Sequence, residues 1–237
     1  MAAEDLHIGV AGSSARYHAE RLRLDDELRS REGTRLERAW VALFPPPETR
    51  LRRVEERNRV AGAEGGQGLA ALLARRCPDV PMLHDRAAPL SRANIDHIAI
   101  APSGVYVVDC KRYRGKIEVT TPLFGSQKLK VNGRNRTSLV HGLERQVAHV
   151  QAALAGLTTE IPVHGCLCFV APEGRSGGVG LPILRTPTID GYPLYFAKRL
   201  ARRLNRSGTI GGEQARVLQD ELAQHLPPAL RPEDRAR

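Results

Sequence analysis

The chain has 237 residues, with 36 Lys and Arg against 26 Asp and Glu and a formal charge of +10. Apolar residues make up 41% and charged residues 26%, so whole-chain disorder is excluded, and one domain with extensions or two small domains is expected. No run approaches the ~18 apolar residues of a membrane helix, no basic segment leads into an apolar one at the N-terminus, and Cys77, Cys110, Cys166 and Cys168 form no Cys-x-x-Cys pair. A zinc ribbon, a disulfide scaffold and a secretory leader are therefore not expected; a cytosolic protein with reduced, mostly buried thiols is.

In chain order, residues 14–43 read as a long charged helix with an incomplete stripe of Leu22, Leu24, Leu28, Leu36, Trp40 and Leu43. Pro45-Pro46-Pro47 ends it, since proline cannot continue a helix. A second charged helix is expected over 48–60. The run Gly62-Ala63-Glu64-Gly65-Gly66-Gln67-Gly68 then reads as a turn leading into a short helix around 69–73, which stops before Pro78. Strands follow at 80–84, 95–101 and 104–112, the last two joined as a hairpin by Pro102-Ser103-Gly104. Further strands are expected at 115–121 and 127–131, with Asn132-Gly133 as a turn. Leu139, Leu143, Val147, Val150 and Leu154 predict a helix over 138–155, and 163–170 has the length and composition of a buried strand. A strand at 181–186 and helices at 191–205 and 212–225 complete the pattern, with residues 227–237 polar and frayed. The fold class is α/β, a mixed sheet flanked by helices. The organisation is a charged helical extension (1–60), a core (61–172), and a C-terminal strand and helices (173–237) that complete or flank it.

Positive charge is uneven. Residues 1–60 hold 12 Arg and 11 acidic residues, whereas 101–150 hold nine basic and three acidic ones. An excess of this kind favours a polyanionic partner, because each cation near a phosphate releases condensed counterions; the plain alternative is a solvated surface.

The chemistry-bearing pattern lies in the hairpin. Asp96 falls in the first strand, and Asp109 and Lys111 fall in the second. Strand side chains alternate with period two, so Asp109 and Lys111 share a face while Cys110 points to the other. The turn brings the strand of Asp96 alongside, and two carboxylates and an ammonium gather at one end of a small sheet. Charges so close to a core need pairing or a metal. Phosphodiester hydrolysis uses such a group: carboxylates hold a hard cation, and a lysine orients water or stabilises developing charge. The alternative is an ion pair between neighbouring strands.

Residues Asn94-Ile95-Asp96-His97-Ile98, Gly104-Val105-Tyr106-Val107-Val108-Asp109-Cys110-Lys111 and Gly115-Lys116-Ile117 resemble the nuclease-related domain, NERD, of the PD-(D/E)xK restriction-endonuclease-like superfamily. Gly62-Ala63-Glu64-Gly65 resembles that family's glycine-rich entry to its first core helix, and Gln146 falls where the family tends to have a glutamine. The resemblance spans roughly residues 60–172. It implies a restriction-endonuclease-like core, Asp96 and Asp109 as ligands of Mg²⁺ or Mn²⁺, and Lys111 as the catalytic lysine. Where the family usually has a glutamate after the second glycine, this chain has Gly66. Glu64 is left as a substitute only if the helix start shifts, with Gln146 as a further auxiliary.

Lys116, Lys128, Lys130, Arg134 and Arg136 flank the hairpin and are phosphate-contact candidates. His97, on the face opposite Asp96, reads as a packed histidine. Aromatic residues make up only 4%, which leaves little for a base-stacking platform. The expected function is therefore metal-dependent hydrolysis of DNA with little base specificity, with RNA left open as the polyanion and no membrane partner. Restriction-like nucleases often act as dimers, so a homodimer is left open too. The alternatives are a nucleic-acid-binding module with a weakened site and an interaction scaffold built on the charged helices.

Overall fold

The computed structural model describes residues 8–31, 47–89, 94–113, 115–122, 125–157, 160–171 and 185–229. Its centre is a six-stranded mixed sheet. Strands β1 (Met82–Ala87), β2 (Asn94–Ala101) and β3 (Gly104–Arg112) form an antiparallel meander. β3 then pairs in parallel with β7 (Val163–Val170), which pairs in parallel with β9 (Tyr192–Phe196), and the short β8 (Thr188–Ile189) closes that edge antiparallel to β9. A separate three-stranded sheet of β4 (Ile117–Thr120), β5 (Lys128–Val131) and β6 (Arg134–Asn135) follows β3. Asn132 and Gly133, both at positive φ, make its tight turn.

Both faces of the large sheet are covered, as the unbroken apolar runs of β3 and β7 require. On one face lie α3 (Ser138–Leu154) and α5 (Gly212–His225), which bury Leu143, Val150, Leu218 and Leu222 against Ile98, Ile100, Val107 and Leu167. On the other lie α2 (Pro47–Arg76) and α4 (Ala197–Leu204), whose Leu69, Leu73, Leu200 and Leu204 meet Ala99, Tyr106, Val108 and Cys166. The four cysteines are free, and Cys77, Cys166 and Cys168 are buried.

The glycine-rich turn expected over 62–68 does not occur: α2 runs unbroken from Pro47 to Arg76. Glycine costs a helix about 1 kcal/mol relative to alanine, but here it lets the helix lie close to the sheet. A Cβ on Gly65 would stand 3.1 Å from the Arg112 Cβ and 3.2 Å from a Val170 methyl. The helix expected from residue 191 begins instead at Ala197, because Tyr192–Phe196 pairs with β7 as β9. The first expected helix is seen as α1 (Ser13–Arg31); its remainder, 32–43, lies outside the described residues, as does most of the expected strand at 181–186. Residues 227–229 are not frayed. The Ala87 amide donates to the Pro227 carbonyl (2.8 Å), and the Ala229 amide donates to the Asp85 carbonyl (2.7 Å).

Two adjacent residues on β1 tie the outer helices to the sheet. Asp85, at φ 49°, is buried and accepts from the Ser14 amide (2.6 Å) and from the Ser13 (2.8 Å) and Ser14 (2.7 Å) hydroxyls, which fixes the start of α1. Arg86, fully buried, donates to the carbonyls of Leu226 (2.5 Å) and Ala223 (3.0 Å), the unsatisfied end of α5. Arg86→Ala leaves those carbonyls unpaired in the core, and urea unfolding is expected to show a loss of at least about 3 kcal/mol. A change under ~1 kcal/mol would show that the guanidinium is not what holds α5. The two kinds of glycine in α2 make a second prediction. Gly62, which has nothing within 4 Å of a built Cβ, should gain about 0.5–1 kcal/mol on substitution by alanine. Gly65→Ala should lose stability in the same measurement.

Candidate active site

The β2–β3 hairpin positions the charged group. Its last register pair toward the site is His97 with Val108, so Asp96 and Asp109 are the next residues on adjoining strands. Asp96 accepts from the Cys110 amide through Oδ2 (2.9 Å). Asp109 is buried, and its Oδ1 is ion-paired with the Lys111 ammonium, whose side chain remains a quarter exposed (25%). Lys111 thus reaches from a buried carboxylate to a cavity of about 430 Å³. Asp96, Cys110, Arg112, Tyr113, Arg136 and Arg59 also line that cavity, with Gly12, Gly62 and Gly66 from the helical side.

The electrostatics follow from burial. Desolvation pushes the Asp109 carboxyl up, to about 7; the Lys111 charge opposes this and the Asp96 carboxylate adds to it. For Lys111, burial acts to lower the pKa, but the Asp109 and Asp96 carboxylates outweigh it and hold the amine above its ordinary range. The lysine is therefore cationic at neutral pH, a donor and a positive charge rather than a base. Burial also keeps the Cys110 thiol protonated, with Asp96 adding to the effect.

The residues singled out from sequence fall in four places. Asp96, Lys111 and Arg136 line one cavity, with Asp109 directly behind. Arg136 lies over the Tyr113 ring (5.6 Å), and its buried Nε has no hydrogen-bond partner among the described residues. Lys128, Lys130 and Arg134 sit on the small sheet with Lys116 just before it, and Lys116 is ion-paired with Glu118 (2.7 Å). None of these four lines the cavity. Glu64 is exposed, ion-paired with Arg112, and lines a separate, larger cavity. Gln146 is buried on α3 with its Oε1 unpartnered among the described residues. Gly66 turns its bare face to His97, whose Nε2 would lie 3.9 Å from a Cβ there. His97 is fully buried and shares a hydrogen bond with His84, Nδ1 to Nδ1 at 2.8 Å. Sequence reasoning did not find this pair, nor Arg59 and Arg112. Identical rings at register partners His84 and His97 were the available signal.

The donor set fits a hard cation. Asp96 and Asp109 offer oxygens on adjacent strands, and Mg²⁺ is commonly held by one or two carboxylates while keeping several waters. No cluster of three or more metal-ligating side chains occurs among the described residues. No helix among the described residues is long and apolar enough to cross a membrane.

Residues 61–170 match the family model described as NERD, nuclease-related domain. That stretch belongs to the nuclease-related domain family. No curated protein and no solved structure matches the chain. Within the NERD segment lie both aspartates, Lys111, Arg136 and Gln146, together with the glycine face of α2; Arg59 and Gly12 reach the cavity from outside it.

The buried histidines give this NERD domain an acid-sensitive element. Burial lowers His97 to about 4, and burial with the neighbouring His97 and Arg86 charges lowers His84 to about 3. Below pH ~6.5 the unfolded chain binds protons that the folded pair refuses, so their contribution falls with pH from there toward about 4. Asp109, raised when folded, has the opposite sign over an overlapping window. The readout is therefore the difference between the parent and His97→Gln. Between pH 6.5 and 5 the parent should lose about 2 kcal/mol more than the variant in urea unfolding. Parallel pH profiles would contradict the assignment.

Proposed function

We propose that this domain is a metal-dependent nuclease that hydrolyses phosphodiester bonds in DNA, with little base specificity, on a PD-(D/E)xK restriction-endonuclease-like arrangement. The observation that carries the reading is the buried Asp109–Lys111 pair with Asp96 beside it, behind a cavity otherwise charged by Arg59, Arg112 and Arg136. Asp96 and Asp109 are the residues that would hold Mg²⁺ or Mn²⁺; when bound, such an ion polarises the phosphate and lowers the pKa of a bound water. Lys111, pinned by Asp109 and cationic, supplies a fixed positive charge toward the phosphate oxygens as negative charge develops. Arg136 offers a planar fork to a non-bridging oxygen. Its stack occupies the Tyr113 ring, and the lining otherwise carries no aromatic side chain except His97. Contacts to phosphates without contacts to base edges position a strand but do not read it.

Gly66 supports a second reading, a nucleic-acid-binding module with a weakened site. It leaves the cavity without a carboxylate from α2, since Glu64 is committed to Arg112 outside it. One experiment separates the two. Supercoiled, linear and single-stranded DNA are incubated with Mg²⁺, Mn²⁺ or EDTA, beside Asp109→Ala and Lys111→Ala. Metal-dependent cutting that falls at least ~100-fold in both variants is expected. Salt-sensitive binding without cutting under any condition would favour the module.

A further inference from the structure

The larger cavity, about 1090 Å³, lies where the carboxyl ends of the parallel strands β3, β7 and β9 meet α2 and α4. Ligands of open α/β sheets gather at that edge. Its floor is apolar, from Phe169, Phe196, Leu69 and Leu72; its rim carries Lys198, Arg199 and Arg202, with Arg112 ion-paired to the one carboxylate there, Glu64. Helix α4 carries four basic residues and no acidic one over eight positions, and Leu200, Ala201 and Leu204 fix its other face in the core. Cations crowded on one short helix repel each other, and a polyanion relieves that repulsion. Arg112 lines both cavities, so the two adjoin at that side chain. Just above the ~300–1,000 Å³ range of ligand cavities, it is far larger than an inorganic ion needs.

We infer that this groove is a second nucleic-acid site, holding a single-stranded stretch of the substrate that continues from the bond at Lys111. Phosphates lie along Arg112, Lys198 and Arg202, and a sugar or base packs toward Phe196. The inference rests on the nuclease reading for what lies at its other end. Its test is binding in EDTA, which needs no catalysis.

Two variants address it by different physics. Lys198→Glu with Arg202→Glu reverses charge at two positions on the rim. Gly68→Leu places a side chain in the groove at a helical glycine with nothing within 4 Å of its built Cβ. Leucine is a better helix former than glycine, so this variant should melt no lower than the parent, and a failure to bind cannot then be a failure to fold. The probe is a short labelled oligothymidylate, followed by fluorescence anisotropy against salt. The double variant should bind at least ~10-fold more weakly, with a slope of log affinity against log salt shallower by about 1.4, ~0.7 for each phosphate no longer neutralised. Gly68→Leu should also weaken binding. Parental affinity in both variants, or no binding by the parent, overturns the site. Thymidine monophosphate binding as tightly as the oligonucleotide, and abolished in the same variants, would make it a free-nucleotide pocket and also overturn the strand reading. If the parent binds and both variants fail while no metal supports cutting, the groove stands and the nuclease reading falls. If cutting is intact and both variants bind like the parent, the reverse holds.

Discussion

Two neighbouring residues on one strand, Asp85 and Arg86, hold the helical layers in register with the sheet. Each places a full charge where water is excluded, which is costly unless the charge is answered by several hydrogen bonds. The carboxylate is answered by the serines and amide at the start of α1 and by the Asn94 side-chain amide, the guanidinium by the last carbonyls of α5. Both partners are helix ends, where backbone groups lack intrahelical bonds, so each charge removes two deficits at once. The left-handed backbone at Asp85 turns its carboxylate out of the strand's alternation toward α1. Gly12 and Ala15, at the start of that helix, are walls of the candidate active cavity, so the geometry of the site depends on this tie.

The site repeats the theme on the neighbouring strands, at the same level of the sheet. Asp109 is buried almost completely and its charged partner is two residues along the same strand, a spacing that directs both side chains the same way. Lys111 is held with its stem in the protein and its charge at the cavity, a preorganised cation that need not move when a phosphate arrives. The histidine pair on the opposite face stays neutral, so the region behind Gly66 is not a second charged layer.

Much of this was legible in the sequence, and the failures have a common cause. The β2–β3 hairpin, β7, α3 and α5 follow from signals within each segment: a Pro-Ser-Gly turn, an apolar run, a period of 3.6. The glycines of α2 were misread because local propensity favours a turn, whereas Gly65 serves close approach to Arg112 and Val170, distant in sequence. Tyr192–Phe196 looked like the start of a helix because its parallel partner, β7, lies beyond residues 171–191. For the same reason the period-two placement of Asp109 and Lys111 was readable, while the walls around them, drawn from α1, α2 and the segment between β6 and α3, were not. The lysines around that sheet looked like one patch in sequence together with its arginines, yet only Arg136 among them turns inward.

The antiparallel contact between β1 and residues 227–229 has a consequence for how copies of this protein meet. An outermost strand offers unpaired amides and carbonyls to any passing strand and is the usual starting point of uncontrolled association. Here that template is occupied by the chain's own backbone through the bonds of Ala87 and Ala229 and the bridge of Arg86 to Pro228, and two prolines in the covering piece remove amides that would otherwise recruit a further layer. At the opposite edge β8 is only two residues long. The segment after α5 therefore acts as a sheath, and a chain cut before Pro227 would bare the longer of the two edges and turn a self-contained sheet into one that recruits its neighbours.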